Sequence, residues 1–328
     1  MPRFLSVIPG VLLASIVALS STPVYSQSGY PARQIHIIVP FPPGGINDIA
    51  ARIISVKLAE ALGQSVVVDN RGGAGGIIGT ELAAQSAPDG YALILGSVAT
   101  HAINQSLHKQ LPYNVMRDFS PITNIINTQN IVVVNPSLPV HSVQELIAFA
   151  KSRQNPLNYG SAGIGTAMHL SVELFNAMTG IKMVHVPYRG GGPAINDLLA
   201  GRVDVVFAPL PDALPQVKAG RLRALAVTGK QRSPTVPELP TIAEAGVPGY
   251  DFSGWSGMFA PARTPPEIVT RLYAETLKIL RSPEIKQRLS TLGAEPGGMP
   301  PPEFSAFVRA EIAKWGNVIK EAKIPQIK

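Results

Sequence analysis

The stretch Val39 to Arg52, V-P-F-P-P-G-G-I-N-D-I-A-A-R, constrains the fold most, because it reads as a strand turning through an amide-rich loop into a helix. Ile35 to Val39 is rich in β-branched residues, Pro42 and Pro43 fix an extended φ and forbid helix before them, and Gly44-Gly45 lets the backbone approach a ligand closely. From Ile46 the apolar residues Ile49, Ile53, Ile54, Leu58, Ala61 and Leu62 recur at three- and four-residue steps up to Gly63. That spacing predicts a helix with one buried face and a glycine stop. The free N–H groups at its start carry partial positive charge and can hold a carboxylate or phosphate without Lys or Arg. A tight strand-to-helix connection with no ligand fits the same residues.

The first residues read as a cleaved secretory signal. Arg3 is the only charge ahead of the apolar run Phe4 to Leu19, and small and polar residues lead to Val24-Tyr25-Ser26, so the mature chain is expected to start near Gln27. This places the protein outside the cytoplasm, in the periplasm of a cell with two membranes. The chain has no cysteine, which excludes disulfides, thiol nucleophiles and Cys-ligated metals. The formal charge of +7 becomes +6 when Arg3 leaves (7 − 1), and the basic residues are scattered. With aromatic residues at 6% there is little to stack bases on, so nucleic acid is not an expected partner.

Beyond the first loop the chain alternates strands and helices. Ser65 to Asp69 reads as a strand, Arg71 to Gly76 as a Gly-rich turn, Ile77 to Ala87 as a helix and Tyr91 to Gly96 as a strand, which is β-α-β grammar. The near-continuous apolar strands, Val66-Val67-Val68 among them, imply a parallel sheet covered on both faces. The turn at Gly73 to Gly79 has the spacing G-x-G-x-x-x-G and follows the second strand, so close packing of helix on strand explains it better than a dinucleotide site. After Leu111-Pro112-Tyr113 the chain reads as irregular to Asn130, the candidate crossing between domains, and the alternation restarts at Ile131.

A second unit mirrors the first. Ser142-Val143-Gln144-Glu145 is a capping box opening a helix to about Arg153, and Leu157 to Gly160 is a strand leading into Ser161-Ala162-Gly163-Ile164-Gly165-Thr166, followed by a helix from Ala167 to Met178. The backbone N–H groups and the Ser161 and Thr166 hydroxyls of that loop can converge on an oxyanion. His169, in the first helical turn, either reaches the same point or is a partly buried hydrogen-bonding residue. A third unit runs through Met183 to Val186, Tyr188 to Gly192 and a helix with Pro193 at a first helical position, running to about Ala200. Extended chain at Asp251 to Ala260 and three helices, each opening near a proline, complete the sequence. A chain that leaves one α/β unit near residue 126 and returns near 250 gives two lobes and a cleft, with Phe41 to Gly45 facing Ser161 to Thr166.

No G-x-S-x-G elbow, H-E-x-x-H, Walker A or close His/Asp cluster is present. Asp48 is the best carboxylate candidate for chemistry, although in a first helical turn it also serves simply to hold the loop. The runner-up to a binding protein is therefore an extracytoplasmic hydrolase with a triad assembled from distant residues. An effector-binding regulator would share the two lobes, but the export signal and the lack of a DNA-binding helix pair argue against it.

Several segments together resemble the periplasmic receptors of tripartite tricarboxylate transporters, the Bug receptors. They are Val39 to Arg52, N-R-G-G-A-G-G-I-I-G at Asn70 to Gly79, A-P-D-G-Y at Ala87 to Tyr91, G-S-A-G-I-G-T-A-M-H-L at Gly160 to Leu170, Val186 to Asp204, and L-P-T-I-A-E-A-G-V-P-G-Y at Leu239 to Tyr250. The resemblance runs the length of the mature chain. It implies an α/β type II periplasmic binding fold, with two doubly wound lobes around a cleft that closes on a carboxylate held by backbone amides and ordered water. By position it points to Phe41, Gly44, Gly45 and Asp48 on one lobe and to Ser161, Gly165, Thr166 and His169 on the other, with Ser97, Thr100 and Tyr188 as further candidates. The expected division, from the export signal and the two crossings, is a signal at residues 1–26, one lobe from 27–125 plus 251–328, and the other from 126–250. The expected protein is a monomeric, non-catalytic receptor without metal or cofactor, which delivers a di- or tricarboxylate, an amino acid or an aromatic acid to a membrane permease.

Overall fold

The computed structural model describes residues 29–188, 190–321 and 323–327, so the expected signal segment lies outside the described residues. The chain begins with β1 (Ile35–Val39), α1 (Ile46–Leu62), β2 (Val66–Asn70), α2 (Ile77–Ala84) and β3 (Ala92–Ser97). β1 lies between β2 and β3, parallel to both. Its residues alternate as the two-residue strand period requires. Ile35, Ile37 and Val39 join Ile53, Ile54 and Leu58 of α1 in one core, while Ile38 points to the other face. Each such fully buried aliphatic side chain contributes about 1.5–3 kcal/mol of transfer free energy.

Two short helices, α3 (Asn104–Leu107) and α4 (Val115–Asp118), lead into β4 (Phe119–Val134), the element that joins the two halves. From Phe119 to Gln129 it pairs antiparallel with β9 (Ser253–Pro261), and from Asn130 onward with β7 (Val205–Pro209) and β8 (Arg223–Val227). The irregular stretch expected up to Asn130 is therefore a strand from Phe119. Its polar residues mask the signal because they make tertiary bonds: Thr123 Oγ1 donates to Met299 O at 2.8 Å, and Asn124 Oδ1 accepts from Gly298 N and Met299 N at 2.9 and 2.8 Å.

The second half contains α5 (Val143–Ser152), β5 (Asn158–Ser161), α6 (Ala167–Thr179), β6 (Val184–Pro187), α7 (Gly191–Leu199) and α8 (Leu210–Lys218). β5 pairs parallel with β6 and β7, giving the overall strand order β2-β1-β3-β9-β4-β7-β5-β6, with β8 and the short β10 (Ala294–Pro296) also paired to β4. The sheet is thus mixed rather than parallel throughout. β2 is an edge strand with Val67 39% exposed, not a strand covered on both faces. The Ser142 hydroxyl caps α5 through Glu145 N, as its sequence predicts. α7 starts two residues before Pro193, because Gly190 takes the N-cap.

Helices α9 (Pro266–Arg281), α10 (Pro283–Thr291) and α11 (Pro301–Glu321) close the structure. α11 packs on β4 and also reaches α6 in the other half, with Glu311 bonded to Trp255 of β9. The tail beyond it runs beside α3, where Ile327 N donates to Leu107 O at 2.8 Å. Among the described residues, no helix is long and apolar enough to cross a membrane.

Candidate functional site

The carboxyl ends of β1 and β5 open into two loops built on the same plan. In the first, Gly44 has φ +87° and precedes Gly45, the N-cap of α1; in the second, Gly165 has φ +77° and precedes Thr166, the N-cap of α6. Both positive-φ positions favour glycine. The third helical residue then reaches back to the glycine N–H: Asp48 Oδ2 accepts from Gly44 N at 2.9 Å, and His169 Nδ1 accepts from Gly165 N at 3.1 Å. Asp48 and His169, two of the residues expected at the ligand, thus each brace their own loop.

Asp48 is 3% exposed and sits 3.0 Å from Arg52, one helical turn away. Burial pushes its carboxyl up, but hydrogen bonds from Arg52, Gly44 and Asn70 and the Arg52 charge outweigh burial and hold it below the usual carboxylate value. Asn70 joins this brace, accepting from Arg52 at 3.0 Å and donating to Phe41 O at 3.2 Å. With Gly44 N taken, the N–H groups of Gly45, Ile46 and Asn47 have no acceptor among the described residues, and no side chain caps α1. A helix start left open in this way holds an oxyanion by hydrogen bonds and dipole together.

In the second loop the side chains are occupied. Ser161 Oγ, fully buried, accepts from Gly163 N at 3.0 Å and lies 2.6 Å from His185 Nε2. Thr166 Oγ1 donates to Gly163 O at 2.8 Å and accepts from His169 N at 3.4 Å, the usual work of an N-cap. His169 is 5% exposed and stacks on His185 at 4.1 Å between ring centres. Burial, and then the His185 charge, push its imidazole down to about 4. The N–H groups of Ala162 and Ile164 have no acceptor among the described residues.

The other candidates fall into place around these loops. A Cβ at Gly76 would meet Thr100 Cγ2 at 2.5 Å and Phe41 Cζ at 3.4 Å, so Phe41 and Thr100 share one spot on the first lobe. Thr100 Oγ1 accepts from Ser97 N at 3.0 Å. Ser97 lies opposite Ser256 across β3 and β9, and Ser256 donates to Asn47 on α1. Tyr188 N donates to Ser161 O at 2.9 Å, but its hydroxyl turns away to Asp197 at 2.8 Å. Among the described residues no hydrogen bond joins the two loops; Leu107 of α3 packs against the second, where its Cδ2 would lie 2.3 Å from a Cβ at Gly165. Sequence reasoning missed Asn47, Asn70, Ser256 and His185. Only the i, i+4 spacing of Asp48 and Arg52 was a visible signal for the first brace.

Among the described residues hydroxyl–imidazole contacts join Ser161 to His185 at 2.6 Å and Thr100 to His101 at 2.9 Å, and both hydroxyl-bearing residues are sealed from solvent. No group of three His, Cys, Asp or Glu among the described residues is placed to hold a metal.

The family model for the tripartite tricarboxylate transporter family receptor matches residues 50–324, a span that begins just after the first loop. Protein BugT of Bordetella pertussis is 39% identical over 98% of this chain and 98% of its own length. Among solved structures, R. palustris Rpa4515 with adipate is 43% identical with a TM-score of 0.80, over 91% of this chain and 100% of that one. MatC from Rhodopseudomonas palustris with bound malate is 32% identical with a TM-score of 0.75, over 88% and 100%.

Proposed function

The chain belongs to the tripartite tricarboxylate transporter receptor family, and from that premise we propose that it captures a small carboxylate between its lobes and passes it to a membrane permease. The observation that carries this reading is the pair of loops, each braced at one glycine N–H while other N–H groups of the loop have no acceptor among the described residues. The carboxylate is held by the amides of Gly45, Ile46 and Asn47 on one lobe and of Ala162 and Ile164 on the other, beside Phe41 and Thr100. Gly44, Asp48, Gly165, Thr166 and His169 set the geometry, and Ser97, Ser161 and Tyr188 support it. Adipate and malate, found on two relatives, are the ligand types to try first. The lobes comprise 27–125 plus 251–328 and 126–250, and the chain acts as a monomer in the periplasm after loss of residues 1–26.

The family is one of solute-binding receptors rather than enzymes, and the buried Ser161 hydroxyl supports that assignment over the hydrolase alternative. A thermal-shift screen of the mature protein against a carboxylate library tests the reading. A ligand at about 100 times its Kd adds roughly 2.7 kcal/mol of stability. A library in which no carboxylate moves the transition, or mass spectrometry showing the recovered ligand chemically changed, would overturn it.

A further inference from the structure

We infer that His169 is a positioning residue whose neutral imidazole latches the second loop in its ligand-accepting form, with His185 as stacking partner, so that acidification frees the loop and with it the carboxylate. The inference rests on the carboxylate-receptor reading above and adds how that site lets go.

The latch is a hydrogen bond of fixed direction. Gly165 N–H donates to His169 Nδ1 at 3.1 Å, which requires that nitrogen to be unprotonated and the ring proton to sit on Nε2. A proton added at Nδ1 sets donor against donor. It also places a charge 4.1 Å from the His185 ring, stacked at 21°. The His185–Ser161 contact has no such requirement, since a hydroxyl either donates or accepts, so His169 is where protonation matters.

The neighbours on every packed element leave the imidazole neutral near pH 7. β5 supplies Tyr159, whose hydroxyl donates to Glu173 Oε1 at 2.5 Å; α6 itself supplies Glu173; β6 supplies His185; and the C-terminal tail supplies Lys323. Burial raises the Glu173 carboxyl and lowers the His185 imidazole. The His169 imidazole is at about 4 in the latched loop and regains its ordinary value of 6.5 when freed, so between those values protons favour the free loop. At pH 5 the latched-to-free ratio falls roughly thirtyfold from its value near neutral pH. A recess of about 200 Å³, lined by Ile164, His169, Glu173, His185, Lys323 and Ile324, opens beside the imidazole and gives protons access to it. The first loop has no counterpart, because Arg52 keeps Asp48 charged through the same range.

The test is titration calorimetry of adipate and malate from pH 7.5 to 5.0 on the wild-type protein and on His169→Gln, which keeps a carbonyl acceptor and cannot titrate. Wild type is expected to lose more affinity than His169→Gln, by at most roughly thirtyfold, because protonation of the ligand is common to both and cancels in the ratio. In the unliganded wild type, NMR should show the Gly165 amide resonance moving with the same midpoint as the His169 ring. That arm needs no variant and decides the matter even if His169→Gln does not fold. Identical pH profiles, a Gly165 amide that ignores the ring, or an Nδ1-protonated ring at pH 7.5 would each overturn the latch. If neither carboxylate binds at pH 7.5 while Gly165 still follows His169, the latch stands and the receptor reading falls.

Discussion

Trp255 and Trp315 donate their indole N–H groups to the same oxygen, Glu311 Oε2, at 3.0 and 3.1 Å. One residue lies on β9, where that strand pairs with β4 next to the passage between lobes, and the other on α11. Glu311→Ala leaves two buried N–H groups unpaired and is expected to cost about 3 kcal/mol in urea unfolding, with Glu311→Gln milder because its carbonyl still accepts.

These are the chain's two tryptophans, so their emission reports on the passage. Closure is expected to rotate the lobes about Gln129–Asn130, where β4 changes partners, and Thr228–Phe252, which are bonded N to O at 2.8 Å. Saturating adipate should change the tryptophan emission and lower the radius of gyration in X-ray scattering. An unaltered radius with bound ligand would rule out this hinge.

The two loop glycines should differ in their tolerance of a side chain. A Cβ at Gly44 meets nothing within 4 Å, so Gly44→Ala pays only for its positive φ, about 1–2 kcal/mol. Gly165→Ala adds the clash with Leu107 Cδ2 and should be the more destabilising in thermal melts. Leu107→Ala placed beside it should recover part of the difference.

Asp48→Ala removes the first brace and should cost about 1–3 kcal/mol of stability. The folded carboxyl lies below its unfolded value, so its contribution is present above the unfolded value of 3.8 and is lost as pH falls through the folded one. An acid titration of stability should therefore be flatter at its low end in Asp48→Asn than in wild type.

The loops were legible because glycine, proline and cap residues act on their own backbone: Gly44, Gly165, Ser142 and the stop at Gly63 all behave as local rules require. The directions of Ser161, Thr166 and His169 were not legible. A polar side chain in a turn satisfies the same pattern whether it bonds a ligand or its own loop, and here the loop takes them. His185 carries no local signal, since it meets Ser161 only through the parallel pairing of β5 with β6. β4 was half hidden because Thr123 and Asn124 are buried for bonds to Gly298 and Met299, contacts 174 to 176 residues away in sequence.

The central claim is that backbone amides of the two braced loops hold the ligand's carboxylate. Amide-resolved NMR of the mature protein during titration with adipate and malate measures this directly. The largest shifts are expected at Gly45, Ile46 and Asn47 together with Ala162 and Ile164, while Gly44 and Gly165, already bonded to Asp48 and His169, move less. Binding that leaves those five amides unmoved and shifts others would contradict it.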